Sequence, residues 1–458
     1  MSFFKKESLA SPALWYGLML LSVSLLDRGE IKVIRLVDIL ALITFILLLK
    51  EKLLGQRELQ LSTTPQIKII AGFTVIAGLA LVYSFTLPLE LNIPGAVGAK
   101  APYVRGFVQT GKLFFALIMF YWLTYSVVNN RQILITSLRF FAIGAGVVTL
   151  YGLFQDIGYM LGFHTGQAFT ETIWIVPRLN GTGKEPLNFA NYLVLAIPIT
   201  FFLITLEKRK VMNNLLWLVF SLEVFALILT FALGGWIGLS VVILFSLVFG
   251  FHTVWRYRSR LLISGIAVAL GIALMLNIYP SLSLGFKAFG AKIESLIGIN
   301  YFGFDYSPSR YSVEDRKVLT AAAIKIFKQY PVVGVGLGNY TFHFNKYRPP
   351  QVQRYNFVTV ANNQYLEVLA ETGILGFIFY ISFILMICWK SLQAILARPP
   401  SLLKNALTFI FCGLLGVLVQ YLTFSSTPLN YFWISAGLLM AVINIADKED
   451  RVCHEDRD

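Results

Sequence analysis

The sequence predicts an all-α, polytopic integral membrane protein with about twelve transmembrane helices and a large helical periplasmic loop. Two observations predict this fold class. Hydrophobic residues make up 57% of the 458 positions and charged residues 14%, a composition too apolar for a soluble domain. The apolar residues also fall into blocks close to the roughly 20 residues of helix that cross a bilayer. These blocks recur from the N-terminus to about residue 446.

Hydropathy places each predicted span in turn. The first span follows Lys5 and Lys6 as a signal peptide would, but no small-residue cleavage site comes after it, so we interpret it as a retained helix. The predicted spans lie near 9–26, 31–49, 67–87, 107–128, 133–161, 188–206, 215–232, 235–251, 261–279, 374–389, 403–424 and 429–446.

The spans divide the chain into four predicted regions. Residues 1–279 hold about nine transmembrane helices, and 280–373 form a large extracytoplasmic loop. Residues 374–446 hold about three more helices, and 447–458 form a cytoplasmic tail.

The distribution of lysine and arginine predicts the orientation, because cytoplasmic loops are enriched in both residues. Alternate connections are strongly basic, which predicts that both termini are cytoplasmic and that the large loop is outside. This pattern accounts for most of the net charge of +14, so we expect no nucleic-acid partner. The basic connections are Lys5 with Lys6, 50–68, 131–139, 208–210, 256–260, 390–404 and 448–457.

The large loop departs from this charge pattern. Ten basic and four acidic side chains lie between residues 280 and 362. A positive external surface suits an anionic ligand, but a solvated loop or one that contacts lipid headgroups has the same composition. The charge alone leaves both interpretations open.

Within the loop, Val313–Tyr330 has the apolar spacing of a helix that ends at Pro331. The glycines at 334, 336 and 338 follow it. A phosphate-binding loop normally follows a buried strand, whereas these glycines follow a predicted helix, so we predict a tight turn here.

The end of the loop carries a second polar cluster. Asn363, Glu367 and Glu371 are spaced to lie along one face of a helix that precedes Gly373. Alternatively, Asn362 or Asn363 caps this helix.

Three sequence blocks carry a resemblance to a known family. The first runs from Arg178-Leu179-Asn180-Gly181 to Pro186-Leu187-Asn188-Phe189-Ala190, and the second from Arg316 to Pro331-Val332-Val333-Gly334-Val335-Gly336. The third is Asn362-Asn363-Gln364-Tyr365-Leu366-Glu367, followed by Glu371-Thr372-Gly373-Ile374-Leu375-Gly376. Together they resemble the O-antigen ligase and polymerase superfamily of bacterial envelope proteins over roughly residues 150–430.

The resemblance implies an enzyme of the bacterial cytoplasmic membrane that transfers or polymerises glycan from an undecaprenyl-diphosphate carrier to a sugar or lipid-linked acceptor. The reaction takes place on the outer side of the membrane and serves surface or exopolysaccharide assembly, with no metal or other cofactor and with membrane lipids as surroundings. Arginine is suited to this chemistry because its forked cation stabilises a departing diphosphate. Arg316 is the catalytic candidate, and Arg178, Arg310, Asn362 and Asn363 are substrate-binding candidates.

Two positions depart from the family pattern. Asn362 stands where the family's ligases have a histidine, and an amide does not accept a proton at neutral pH. The segment Ala232–Trp236 lacks the arginine that many members have after a span. Glu367 is then the nearest ionisable candidate for a catalytic base. Alternatively, it stabilises the loop or binds substrate.

Two alternatives from other functional classes stay open. Some relatives have been described as solute transporters for inorganic carbon, although no internal repeat typical of transporters is visible in this sequence. A non-catalytic protein that binds lipid-linked glycan is the other alternative.

Overall fold

The computed structural model describes residues 11–23, 35–55, 65–90, 93, 96–162, 172–173, 176–183, 185–297, 307–350, 352–354, 357–425 and 430–455. These residues form an almost entirely helical protein, which confirms the predicted all-α class. The one pairing of strands among them is a two-residue antiparallel ladder between β1 (Thr172–Ile173) and β2 (Val176–Pro177).

The first six helices include two segments of other helical type. A 3₁₀ turn, Gly98–Lys100, precedes α4, and a π-helical segment, Leu117–Trp122, joins α4 to α5 in one continuous rod. The six helices are α1 (Pro12–Ser22), α2 (Leu36–Leu53), α3 (Pro65–Ser84), α4 (Val104–Ala116), α5 (Leu123–Val127) and α6 (Arg131–Met160).

The remaining helices follow after β2. They are α7 (Pro186–Leu206), α8 (Lys210–Leu229), α9 (Leu233–Phe249), α10 (Phe251–Arg256), α11 (Arg258–Ile278), α12 (Leu282–Ile297), α13 (Ser307–Gln329), α14 (Tyr340–Tyr347), α15 (Gln364–Ala397), α16 (Leu402–Gln420) and α17 (Asn430–Glu455).

Each of the twelve predicted spans coincides with a helix in the described part of the chain. Eight helical stretches there are long and apolar enough to cross a membrane: Gln66–Ser84, Val104–Val127, Arg131–Met160, Pro186–Leu206, Lys210–Leu229, Arg258–Ile278, Gln364–Ala397 and Leu402–Gln420. The helices α1 and α9 are apolar but shorter. The polytopic membrane class is therefore confirmed, while the total of twelve spans stays a prediction.

The membrane core is built around α7 and α16. The helix α7 is buried along almost its whole length, as expected of a helix that is apolar on all sides. It packs on α8, α9 and α16. Gly238 of α9 and Gly416 of α16 face each other, and a Cβ atom at Gly416 would lie 2.8 Å from the Gly238 carbonyl oxygen. Small residues thus allow the two backbones to approach closely.

The loop region has a small core of its own beside the membrane bundle. One face of α13 packs against α14, the start of α15 and the segment after α3. Its buried members include Leu319, Ile326, Tyr340 and Phe344. The helix α13 begins six residues earlier than the predicted Val313 and ends at Gln329, just before Pro331. The loop is therefore helical, as predicted.

Candidate functional site

A polar cavity of about 170 Å³ lies where the loop region joins the first turns of α15. Four separate parts of the chain line it. The lining residues are Arg105, Gln109, Leu337, Gly338, Val360, Glu367, Glu371 and Ser425. Three of these eight side chains can carry charge, so the cavity suits a polar ligand.

The turn after α13 forms one wall of the cavity and docks on a break in α15. The break is at Gly373, whose backbone has φ 63° and ψ −168°. A Cβ atom there would lie 2.3 Å from the Val332 carbonyl oxygen, so the close approach requires glycine. The Gly336 N–H donates to the Glu371 carbonyl oxygen at 2.8 Å and fixes the register of the two segments.

The turn itself depends on its glycines. Gly334, Gly336 and Gly338 all have positive φ, at 70°, 88° and 78°. Other residues rarely adopt this conformation. The predicted tight turn is confirmed.

Glu371 holds this turn in place. Its Oε1 accepts a hydrogen bond of 3.0 Å from the Tyr340 N–H, and the Gly338 N–H also donates to its carboxyl group. Tyr340 is the first residue of α14, where unpaired N–H groups and the helix dipole favour a negative charge. The Glu371 carboxyl group, only 3% exposed, therefore anchors both the turn and the start of α14.

Glu367 lies one helical turn earlier and contacts the segment before α15. Its Oε2 accepts a hydrogen bond of 2.7 Å from the Ala361 N–H. Ser425 lines the cavity together with Glu367. Ser425 belongs to the segment that follows α16. The predicted catalytic residue thus lines a cavity, as a base for a bound ligand must.

Arg105 brings a positive charge from the start of α4. Its Nε donates to the Gly338 carbonyl oxygen at 2.8 Å across 233 positions of sequence. Its charge interacts favourably with both Glu367 and Glu371. In a partly dehydrated cavity such interactions are stronger than in water.

The balance of groups indicates what the cavity accepts. One guanidinium faces two carboxyl groups, so the cavity carries little positive charge for an anion. The buried amide oxygen of Gln109 has no hydrogen-bond partner in the described part of the chain. Acceptors of this kind bind hydroxyl groups, such as those of a sugar, better than they bind a diphosphate.

Asn363 caps α15. Its Oδ1 accepts from the Leu366 N–H at 3.0 Å, and its Nδ2 donates to the Leu422 carbonyl oxygen at 3.1 Å. The capping alternative is thus observed for this residue. Asn362 has φ 52°, a left-handed conformation in which asparagine is enriched. Both side chains are half-buried beside the cavity, but neither belongs to its lining among the described residues.

Arg178 lies at the C-terminal end of α8. It is 8% exposed, and its Nε donates to the Thr230 carbonyl oxygen at 3.0 Å. The neighbouring Leu179 N–H donates to the Leu229 carbonyl oxygen. An arginine at a helix C-terminus pairs with carbonyl groups that have no partner within the helix. Arg178 therefore stabilises the end of α8, whatever else it binds.

Arg316 and Arg310 lie on α13 and not in the lining of the cavity, as far as the described residues show. Arg316 is half-buried, one turn before Leu319 of the loop core. The side chain of Arg310 lies outside the described residues.

Two of the cavity's three charged residues were missed as site candidates. Glu371 was recognised only as a member of the same helical face as Glu367. Arg105 had a signal in the sequence, because with Lys100 it places positive charge in a connection that the charge pattern assigns to the outside. Its contact with Gly338 joins residues far apart in the sequence, so no local sequence pattern predicts it.

His343 is a further buried polar group of the loop region. It is 1% exposed on α14, its ring lies edge-on to Tyr330 at 5.6 Å, and neither ring nitrogen has a hydrogen-bond partner within the described ranges. Burial, with a smaller effect of the positive charge of Lys346, lowers the pKa of His343 to about 4. The ring is therefore neutral at pH 7.

No group of three or more His, Cys, Asp or Glu side chains is placed to hold a metal ion among the residues that the structure describes. The cavity supplies two carboxyl groups, and both accept hydrogen bonds from the backbone.

The family model described as O-Antigen ligase matches residues 215–381. The matched stretch runs from α8 to the middle of α15 and includes Gly334, Glu367 and Glu371. No curated protein matches the chain. The O-antigen ligase family implies lipid-linked glycans as the general class of substrate. The apolar helices and this match indicate a multi-pass membrane protein in which residues 215–381 are similar to the O-antigen ligase-related superfamily.

Proposed function

We propose that the protein is a metal-independent glycosyltransferase that transfers or polymerises glycan from an undecaprenyl-diphosphate carrier on the outer side of the cytoplasmic membrane. The product is a surface or exopolysaccharide. The observation that carries the proposal is the cavity at the start of α15, where Glu367 lies beside Arg105 and Gln109. The family match supports the same class of reaction.

The reaction has one bond to break and one to form. An acceptor hydroxyl attacks the anomeric carbon of the carrier-linked sugar, and the bond from that carbon to the diphosphate oxygen breaks with its electron pair on the diphosphate. The hydroxyl proton passes to a base. Glu367 takes this role in the proposal, because Asn362 stands at the family's histidine position and has no basic nitrogen.

The cavity then binds the acceptor, a sugar or a lipid-linked sugar. Its carboxylate and amide oxygens accept hydrogen bonds from hydroxyl groups. The Glu367 carboxyl group is held by the Ala361 N–H, so it is oriented before the acceptor arrives. Such orientation reduces the cost of reaching a reactive geometry.

The departing diphosphate requires positive charge outside this cavity. Arg316 is the proposed catalytic arginine, while Arg178 and Arg310 are proposed to bind the carrier together with Asn362 and Asn363 of the adjoining segment. Guanidinium groups bind phosphate oxygens through paired hydrogen bonds. The excess of basic over acidic residues in the loop favours a carrier-binding site there, separate from the cavity that binds the acceptor.

The proposed orientation follows the charge of the connections. The loop region faces outside and both termini face the cytoplasm, since the connections on the opposite side are basic.

A non-catalytic glycan-binding role is the second candidate. One observation favours it: both cavity carboxyl groups already accept hydrogen bonds from the chain. Carboxyl groups that only shape a binding site, without a catalytic role, also accept hydrogen bonds from the backbone in this way.

The test uses the full-length protein in lipid nanodiscs with an undecaprenyl-diphosphate oligosaccharide as both donor and acceptor. Mass spectrometry follows release of undecaprenyl diphosphate and growth of the glycan. Glu367→Gln is expected to slow release at least about 100-fold, as loss of a general base does. Glu449→Gln, a carboxyl group near the opposite end of the bundle that pairs with Arg131, serves as the matched control.

The outcomes separate the candidates. Binding of the donor without any release identifies the non-catalytic role. Uptake of bicarbonate by reconstituted vesicles, with no glycan product, would identify a transporter instead. Release that is unchanged in Glu367→Gln removes Glu367 as the base.

A further inference from the structure

A second polar cavity lies at the opposite end of α15 and of the continuous α4–α5 rod, both of which line the candidate site. Its volume is about 190 Å³, and α3, α5 with the preceding π-helical segment, α15 and α17 contribute to it. Gln66 and Ser84 mark the two ends of α3, about 27 Å apart by the rise of a helix. Ser84 lies against Gly336 at the candidate-site end, whereas Gln66 lines the second cavity. The two cavities are thus separated by nearly the thickness of a bilayer.

Among the described residues, the second cavity contains buried polar groups without a full set of hydrogen bonds. Gln66 is 3% exposed, and its Nε2 reaches only the weakly accepting Met440 Sδ at 3.4 Å. In the described portion of the chain, the Gln66 Oε1 and the Trp122 indole N–H have no hydrogen-bond partner. Burying an unpaired polar group costs about 1–3 kcal/mol. One acceptor and one donor are therefore available for a ligand.

The backbone at Trp122 is also unusual. The π-helical segment ends at this residue, and short π segments within α-helices occur frequently at functional sites. The segment and α5 direct Tyr121, Trp122 and Tyr125 into the cavity lining.

The charged lining residues have opposite signs. Lys390 supplies a cation near the end of α15, and Asp447 of α17 supplies an anion that also pairs with Arg398. A lysine ammonium attracts phosphate. Aromatic rings and a carboxylate attract an organic ammonium. A ligand with a phosphate joined to an amine matches both halves of the site.

The position of the cavity indicates the source of such a ligand. Its walls are the ends of membrane-spanning helices, and apolar side chains, including Ile67 and Ile443, line it beside the polar ones. Exposed Lys68 and Lys50 at the same end mark the basic side of the protein. A molecule with a polar head and an apolar body fits these surroundings.

We propose that this cavity binds the headgroup of an amine-bearing phospholipid from the leaflet on the basic side of the membrane. The phosphate lies toward Lys390, and the ammonium lies toward Asp447 and the aromatic rings. Gln66 and Trp122 provide hydrogen bonds to the headgroup. The site is separate from the candidate active site and does not depend on the proposed glycan transfer.

The experiment measures lipid binding to the delipidated full-length protein by native mass spectrometry and by the shift in Tm. Phosphatidylethanolamine, phosphatidylglycerol and soluble phosphoethanolamine are compared at equal concentrations. We expect phosphatidylethanolamine to raise the Tm and to bind about tenfold more tightly than phosphatidylglycerol, which corresponds to about 1.4 kcal/mol.

The variants locate the binding. Lys390→Gln is expected to weaken binding of phosphatidylethanolamine about tenfold. Lys208→Gln, an exposed lysine of a basic connection, is the control and leaves it unchanged. Trp122→Phe keeps an aromatic ring but removes the N–H, so it gives a second measurement if Lys390→Gln does not fold, with a several-fold loss expected.

Three results would overturn the proposal. Equal binding of phosphatidylethanolamine and phosphatidylglycerol excludes recognition of the amine. An equal Tm shift with soluble phosphoethanolamine excludes a lipid. Unchanged binding in both Lys390→Gln and Trp122→Phe places the lipid elsewhere on the protein.

Discussion

The cavities at the two ends of α3 and α15 differ in how their polar groups are held. At the loop end, the side chains of Glu367, Glu371 and Arg105 each make a hydrogen bond to the backbone of another segment. Glu367 accepts from the residues just before α15, while Glu371 and Arg105 bond to segments that are distant in sequence. At the opposite end, the buried Gln66 Oε1 and Trp122 Nε1 have no such partner in the part of the chain described. Glu367, Glu371 and Arg105 therefore fix the shape of the loop-end cavity, whereas Gln66 Oε1 and Trp122 Nε1 do not hold segments together at the opposite end. Substitutions at the two ends should have opposite consequences for stability.

Gly373→Ala is expected to have the largest effect, because it removes the break that shapes the loop-end cavity. The new Cβ would lie 2.3 Å from the Val332 carbonyl oxygen, at a residue with φ 63°. Backbone strain and overpacking together are expected to cost about 4 kcal/mol. Thermal unfolding of the purified protein, followed by tryptophan fluorescence, should show a much lower Tm.

Gly290→Ala is the matched control within the loop region. Gly290 lies in α12, and a Cβ atom there would meet no heavy atom within 4 Å. We expect no loss, and a gain of up to about 1 kcal/mol from helix propensity. Equal Tm values for Gly373→Ala and Gly290→Ala would show that the break at Gly373 is not required for the stability of the loop region.

The break also shows where sequence reasoning stopped. All twelve predicted spans fall on helices, because a stretch of about 20 apolar residues is a local property that a hydropathy window detects. The window began the tenth span at residue 374, directly after the break at Gly373, whereas the helical stretch α15 already begins at Gln364. The polar residues before Gly373 lower the hydropathy and form a separate helical segment ahead of the break. The tail predicted from residue 447 is likewise helical, as part of α17 to Glu455.

The candidate site was predicted only in its local part. Asn363 and Glu367 are one helical turn apart, and the three glycines lie within five positions, so helical spacing and turn chemistry each selected a local group. Arg105 and Ser425 reach the cavity through tertiary packing. The hydrogen bond from Arg105 to Gly338, and the position of Ser425 in the same lining as Glu367, join segments that no periodicity in a single sequence connects.

Glu371→Ala tests the dependence of the loop end on its backbone contacts, with the second-largest effect. The substitution leaves the Tyr340 and Gly338 N–H groups without their carboxyl acceptor. Each unpaired buried donor costs about 1–3 kcal/mol, so we expect a loss of about 3 kcal/mol. Glu371→Gln keeps an acceptor oxygen and should recover a large part of the lost Tm. If Ala and Gln lower the Tm equally, the hydrogen bonds are not what stabilises the turn.

Acidification should weaken the loop region through His343. Its pKa is 6.5 in the unfolded chain and about 4 in the folded protein, so the unfolded state binds more protons between these values. Its contribution to stability is present above about pH 6.5 and is lost as the pH falls toward 4. Between pH 7 and pH 5 we expect a loss of about 2 kcal/mol from this residue.

The His343→Phe variant isolates this effect from other titrating groups. Phenylalanine keeps an aromatic ring beside Tyr330 but does not bind a proton. Chemical unfolding at pH 7 and at pH 5 should therefore show a smaller pH dependence for the variant. Parallel curves for both proteins would mean that His343 binds a proton as readily when folded as when unfolded.

Gln66→Leu should change the free energy of unfolding least. It tests the cavity at the opposite end from Glu371. The Gln66 Oε1 has no hydrogen-bond partner among the described residues, so an apolar side chain of similar size removes an unpaired acceptor at the cost of one weak contact to Met440. In delipidated protein we expect a change within about 1 kcal/mol, neutral or stabilising. A loss as large as that of Glu371→Ala, measured under the same conditions, would mean that both cavities depend on their polar groups for shape. A neutral change would show that Gln66 is not required for the fold, which leaves it available to a ligand.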